Sequence, residues 1–359
     1  MSASQMGWIF SAFTFSLMLG CVLMTLITAF LGTRWGLMVS FLGMSLAALA
    51  SGFASTLTGL ILSRFLLGLF MGGLLPAAIQ SVREWFPAKL RPLAIGLIIA
   101  SGSVVAVLTP PLVAYISKPV AWRAVLMIAG IPTLVAAVLC FAVWQYAPPR
   151  GKSENVTGGG LASAGMLAAG LFLASPILTF VVTWMPMFLR QELHAALDYA
   201  SISFIAVSAA GVCGALLAGG LAAVAAHSGM SPSLSASRTR AILLTAFGLL
   251  LPAVALAGNA GKWEFAILFA AVSSMAYQGW ATLLYSAIAD TLPSRGVAAG
   301  AAFGALALHL SSLVSPAIFG QVIQRNGYSL VFLMITATAA LSLLIVGLLA
   351  WLVPQEASN

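Results

Sequence analysis

The sequence predicts an all-α integral membrane protein, and two observations carry the prediction. Hydrophobic types make up 62 % of the 359 residues and charged types only 6 %. A soluble globular chain carries roughly 25 % charged residues, so there is too little polar side chain here to cover a soluble protein of this size. The apolar residues also gather into runs of about 20, the length that one helical crossing of a bilayer needs. Soluble enzymes, nucleic-acid binders and disordered proteins drop out on these grounds. A transmembrane barrel would show shorter segments alternating apolar and polar residues, and these runs do not alternate.

Cutting the chain at its charged, Gly- and Pro-marked breaks gives eleven spans. The first, 6–31, begins without a basic leader and is too long for a signal-peptide core. The second and third, 36–55 and 57–82, follow the Gly32-Thr33-Arg34 break and the Ser55-Thr56 pair, and the third carries Arg64 inside it. The fourth, 92–117, opens after Pro87, Lys89 and Arg91, and the fifth, 121–147, opens at Trp122-Arg123. A polar stretch from Pro148-Pro149-Arg150 to Gly158-Gly159-Gly160 then reads as a linker, with five spans before it and six after. The second group is 161–190, 197–226, 239–258, 263–290, 296–324 and 328–353, with a polar loop from His227 to Arg240 between its second and third members. The domain reading is a bundle over 1–148, a linker over 149–160 and a bundle over 161–359.

An odd span count puts the termini on opposite sides. Sorted by parity, one side holds nine basic residues, Arg34, Arg83, Lys89, Arg91, Arg150, Lys152, Arg238, Arg240 and Arg295. The other holds five: Lys118, Arg123, Arg190, Lys262 and Arg325. Positive residues favour the cytoplasm, so the expected topology for the chain as given is N-terminus outside, C-terminus inside, in the cytoplasmic membrane. The net charge of +8 serves topology rather than nucleic acid, because the bases are spread thinly between apolar runs. Cys21, Cys140 and Cys213 sit inside apolar runs with no metal spacing.

One string of residues is recognisable. It runs Arg64-Phe65-Leu66-Leu67-Gly68, then Pro76, Trp85-Phe86-Pro87, Arg91, Ala94 and Gly96, followed by Pro110-Pro111 and Trp122-Arg123. Gln5-Met6-Gly7-Trp8-Ile9-Phe10-Ser11-Ala12-Phe13, Thr183-Trp184-Met185-Pro186, Asp290-Thr291-Leu292-Pro293-Ser294-Arg295-Gly296 and Ser315-Pro316 belong to the same pattern. Together they resemble the major facilitator superfamily of transporters, in particular its anion:cation symporter branch, over nearly the whole chain. The resemblance implies two helical bundles, of five and six spans, moving a small organic anion by alternating access. It starts at the family's second helix, which implies that the first is missing, through an upstream start or a truncation.

Two further departures concern charges. The family's cytoplasmic Gly-x-Leu-x-Asp-Arg-x-Gly-x-Arg motif stands here as Ala29-Phe30-Leu31-Gly32-Thr33-Arg34-Trp35-Gly36-Leu37-Met38, with Thr33 in place of the acid. Its second-half counterpart, after Gly219-Gly220, has Val224 where the acid falls, and the acid often found seven residues after the helix-four arginine is Met71.

Arg64 is the leading candidate for substrate binding. A charge within a span is costly and normally faces a bundle interior or a water-filled cavity. A guanidinium fork suits a carboxylate, and by resemblance the matching arginine binds an anionic substrate. Snorkelling to the outer interface, or a structural pairing, are the alternatives. His309 sits mid-span, where it could donate to an anion or titrate near neutral pH, or be a packing histidine. Ser274, Tyr277, Gln278 and Tyr285 cluster on one side of the ninth span, and Ser175, Thr179 and Thr183 form a stripe on the sixth. These stripes read either as cavity lining or as helix–helix contacts. Arg34, Arg83, Arg91, Asp290 and Arg295 form the gating set that the resemblance implies, and the alternative reading, with the motif acids absent, is that most of them are ordinary topology-setting charges.

All seven acids lie in loops or near span ends. A proton relay needs a buried titratable group, so His309 is the candidate on this chain. Otherwise coupling rests on the missing helix, or the protein exchanges anions or passes them down their gradient. With no G-x-x-x-x-G-K-[ST] motif, primary pumping is not expected, and no cofactor or metal is implied. The expected partners are a small anionic substrate, a proton, and the bilayer around a monomer. The competing reading is a truncated or degenerate member of the family with no transport activity or a regulatory role.

Overall fold

The computed structural model describes residues 3–143, 158–196, 198–227, 232–293 and 296–352. The first half contributes α1 (Ala3–Leu31), α2 (Thr33–Phe53), α3 (Leu57–Met71), α4 (Leu74–Trp85), α5 (Arg91–Ile116), α6 (Trp122–Ile128) and α7 (Gly130–Val143). The second contributes α8 (Gly158–Thr179), α9 (Met185–Gln191), α10 (Asp198–His227), α11 (Pro232–Leu250), α12 (Trp263–Thr291), α13 (Val297–Asn326) and α14 (Tyr328–Leu352). Eleven stretches among the described residues are long and apolar enough to cross a membrane, and each coincides with an expected span to within a few residues. The chain is thus a helical multi-pass membrane protein.

Three local features depart from the expected spans, and proline has a part in each. The sixth span is not one regular helix: a π turn, Phe180–Trp184, joins α8 to α9. Pro186 has no N–H to return to the preceding turn, and the chain widens there to find other bonds. The eighth span ends in a 3-10 segment, Leu251–Asn259, in which Pro252 removes a helical donor. Ser273 of α12 staples that segment, accepting from the Val254 N–H at 2.7 Å and donating to the Leu251 carbonyl at 2.9 Å. Of the loop expected from His227 to Arg240, residues 232–240 are helical, because α11 begins at Pro232, which needs no helical partner for its nitrogen in a first turn, and 228–231 lie outside the described residues. The expected linker 149–160 lies outside the described residues except for 158–160, which open α8.

The chain folds as two compact units. Unit 1 comprises 1–85, 109–156 and 292–309; unit 2 comprises 86–108, 157–291 and 310–359. They do not follow the two sequence halves, because each half donates a helix segment to the unit built mainly from the other. Within unit 2 the reason is backbone contact between α5 and α10. A Cβ on Gly96 would stand 2.6 Å from the Ala215 carbonyl oxygen, and one on Gly219 would stand 2.5 Å from that of Pro92. Without a hydrophobic driving force between helices in lipid, such small-residue seams are what let backbones approach.

Unit 1 is organised by a similar seam between α1 and α3. Cβ atoms on Gly20, Gly68 or Gly72 would collide with the backbone or a serine hydroxyl of the facing helix. Arg64 lies one turn before Gly68 and two before Gly72, so the seam holds the Arg64 face of α3 towards α1. In unit 2, Phe180 at the start of the π turn meets Phe319, Tyr328 and Phe332 edge-to-face, with centroids 5.2–6.5 Å apart. Phe188 joins the same cluster, and the Tyr328 hydroxyl donates to Gln191 at 2.8 Å.

Candidate functional site

In unit 1, Arg64 lines a cavity of about 530 Å³. Ile9, Phe10 and Phe13 of α1 form one wall, and Leu60, Leu67 and Met71 of α3 continue the stripe that carries Arg64. Trp122 and Leu126 of α6 close the third side. Arg64 is the one charged residue among them, and it lies seven residues into α3 from Leu57, roughly 10 Å at about 1.5 Å per residue. The cavity falls within the volume range typical of small-molecule sites, about 300–1,000 Å³. His309 is half-buried on α13 in the same unit and is not among the residues lining this cavity.

A hydrogen-bond relay runs through unit 1 at the end of the spans that carries the basic-rich loops. The Thr33 hydroxyl donates to Glu84 Oε1 at 2.6 Å, and Gln80 Nε2 donates to the same oxygen at 3.0 Å. Gln80 Oε1 in turn accepts the Ala298 N–H at 3.0 Å, in the first turn of α13. That N–H is one of the helix-end donors without an intrahelical acceptor. The carboxylate that the family motif places at position 33 is thus replaced by a threonine bonded to a carboxylate on α4. Arg34 stacks over Phe141 at 4.8 Å and over its neighbour Trp35 at 5.8 Å. Arg83 is half-buried in the last turn of α4.

In unit 2, Asp290 joins two arginines. Its Oδ1 accepts from Arg91 at 3.0 Å and its Oδ2 from Arg240 at 2.5 Å. Arg91 also donates to the Phe86 carbonyl at 3.1 Å. One carboxylate therefore ties the start of α5 to α11 and α12. Arg295 lies outside the described residues.

The polar stripe of α12 divides between two neighbours. The Tyr277 side chain is buried, with 1 % exposed, and its hydroxyl lies 3.2 Å from that of Ser175 on α8. This is a helix–helix contact. Gln278 donates to Ser103 of α5 at 2.9 Å, and the Ser103 and Ser274 hydroxyls both lie 3.2 Å from where a Cβ on Gly211 of α10 would be. Gln278, Ser274, Ser103 and Gly211 thus form a polar crossing of three helices. Thr179 is buried at the end of α8, whereas Thr183 is exposed within the π turn. Beside it, the buried Trp184 Nε1 has no hydrogen-bond partner among the described residues.

The profile of the Major Facilitator Superfamily matches residues 1–234. The chain belongs to the Major Facilitator Superfamily. It is accordingly a transporter and not an enzyme. Members that it resembles in sequence are a D-galactonate transporter of Escherichia coli O6:H1, 24 % identical over 95 % of this chain and 85 % of the relative, and a probable sulfoacetate transporter of Cupriavidus necator, 26 % identical over 93 % and 82 %. A hexuronate transporter of Bacillus subtilis is 24 % identical over 91 % and 81 %. The fold is shared with FucP in its outward conformation, at a TM-score of 0.76 and 14 % identity over 100 % of this chain and 91 % of that one. It is also shared with the human organic anion transporter MFSD10, at 0.75 and 16 % over 94 % and 83 %.

Against this superfamily background, Gln80, Glu84, Arg240 and Ser103 are residues that sequence reasoning did not place in a site. Gln80 and Glu84 carried a legible signal, since a pair four apart shares a helix face. Arg240 and Ser103 carried none, because their partners lie 50 and 175 residues away.

Proposed function

We propose that this protein is a secondary transporter that moves a small organic anion, a carboxylate, across the cytoplasmic membrane by alternating access. The observation that carries the reading is Arg64: a permanent positive charge, well inside a span, on the wall of a cavity of ligand size. A guanidinium there offers a carboxylate two parallel hydrogen bonds. The relatives named as galactonate, sulfoacetate and hexuronate transporters support the anion class.

In this reading the two sequence halves, 1–148 and 161–359, are the bundles that rock about the site. The Asp290 cluster and the Glu84 relay hold the cytoplasmic ends together in one state and release them in the other. The side assignment rests on the nine basic loop residues. His309 is the proposed group for proton coupling.

The test is uptake of a panel of carboxylates into proteoliposomes, with and without a pH gradient. Arg64→Ala abolishes uptake while the protein remains monodisperse, and Arg64→Lys, which keeps the charge but loses the fork, retains a small fraction. Full uptake by Arg64→Ala overturns the site. Uptake that ignores the pH gradient overturns the coupling.

A further inference from the structure

The lining of the Arg64 cavity carries information about the ligand beyond its charge. Polyhydroxylated acids, such as those for which two of the relatives are named, present a hydroxyl on nearly every carbon. Each hydroxyl taken out of water needs a partner in the site. Among the described residues, those that line the cavity around Arg64 are aliphatic, aromatic or methionine. Along α3, Leu60, Leu67 and Met71 share the arginine's stripe, so the wall stays apolar for a turn before it and two turns after it. Facing them, Phe13 is half-buried, and Phe10 and Trp122 have 65 % and 51 % of their surface exposed, so rings are available on two sides.

From this lining we infer that the substrate is a monocarboxylate with an apolar, aromatic body: its carboxylate on Arg64, its ring between Phe10, Phe13 and Trp122, and its far end against Met71. The inference rests on the assignment of Arg64 as the anion site. An aromatic acid suits the chemistry of this lining, since its carboxylate satisfies the one charge and its ring needs no hydrogen bonds. Aromatic rings also pair favourably with a further ring in offset or edge-on contact. A dicarboxylate would set its second charge against these apolar side chains, which is costly.

The experiment measures binding of radiolabelled phenylacetate, and of D-galactonate and succinate as competitors, to the purified full chain in nanodiscs. Uptake into proteoliposomes is measured in parallel. The expected result is that phenylacetate binds at least tenfold more tightly than either competitor and that Arg64→Ala removes its binding. Trp122→Ala and Phe10→Ser, both at exposed positions and therefore mild for folding, weaken phenylacetate at least fivefold. If galactonate or succinate binds as tightly as phenylacetate or more tightly, and that binding needs Arg64, the aromatic assignment is overturned and the anion site stands. If phenylacetate binds independently of Arg64, or no acid binds, the anion site falls and the substrate class falls with it.

Discussion

Replacing Asp290 by asparagine removes the charge that two arginines share. Both pairs sit at hydrogen-bond distance, 3.0 Å to Arg91 and 2.5 Å to Arg240, and the three side chains are only 12–21 % exposed. At an effective dielectric constant of about 20, each unit pair at roughly 3 Å is worth about 5 kcal/mol of Coulomb attraction. Desolvation of partly buried ions returns most of that. Asparagine keeps one acceptor oxygen and so one hydrogen bond. The expected net loss is about 2 kcal/mol, which corresponds to about a 30-fold shift in whichever equilibrium the cluster biases.

Asp290→Asn therefore lowers the detergent-solubilised Tm by several degrees, measured by scanning fluorimetry. It also raises the labelling rate of a single cysteine introduced at Ala88, beside the cluster. A double-mutant cycle with Arg91→Gln isolates the pair, with an expected coupling of about 1 kcal/mol or more. A Tm unchanged within one degree, together with a coupling indistinguishable from zero, would refute the argument that this carboxylate ties α5 to α11 and α12.

Glu84→Gln replaces the acceptor shared by Thr33 and Gln80 with an amide that must orient its oxygen towards both donors; a loss of about 1–2 kcal/mol is expected, read as a lower Tm, and Thr33→Val costs a similar amount. Combining the two changes costs less than their sum, which a cycle detects. Gly20→Ala drives a methyl into the Leu69 carbonyl and costs more than about 3 kcal/mol, seen as aggregation on size-exclusion chromatography. Gly102→Ala meets nothing within 4 Å and leaves the protein monodisperse. Tyr277→Phe loses its contact with the Ser175 hydroxyl, about 1 kcal/mol, and leaves anion affinity unchanged; a tenfold loss of affinity would instead place Tyr277 in the site.

How much of this was legible in the sequence differs from residue to residue. The eleven spans were, because a bilayer imposes a length and a composition on each segment locally. Arg64 was too, since an ionisable residue inside a span stands out without any knowledge of its neighbours. The superfamily was legible through short strings such as Arg64-Phe65-Leu66-Leu67-Gly68 and Trp85-Phe86-Pro87. The π turn at Phe180–Trp184 was not. Proline at position 186 announces a defect but not its form, which depends on the aromatic cluster packed around Phe180.

The sequence by itself determined the class of protein, the number of crossings, the loop-charge asymmetry and the one deeply placed cation. These are properties that a residue or a run carries alone, because transfer between water and hydrocarbon acts on each segment separately. Only the tertiary structure decided who pairs with whom. It gave Asp290 two arginines, moved the carboxylate of the position-33 motif to Glu84, and set Tyr277 against Ser175 rather than a cavity. It also surrounded Arg64 with rings and aliphatic side chains. Such pairings join residues 50 to 199 positions apart, and hydrogen bonds and ion pairs act over a few ångströms of space whatever the separation along the chain.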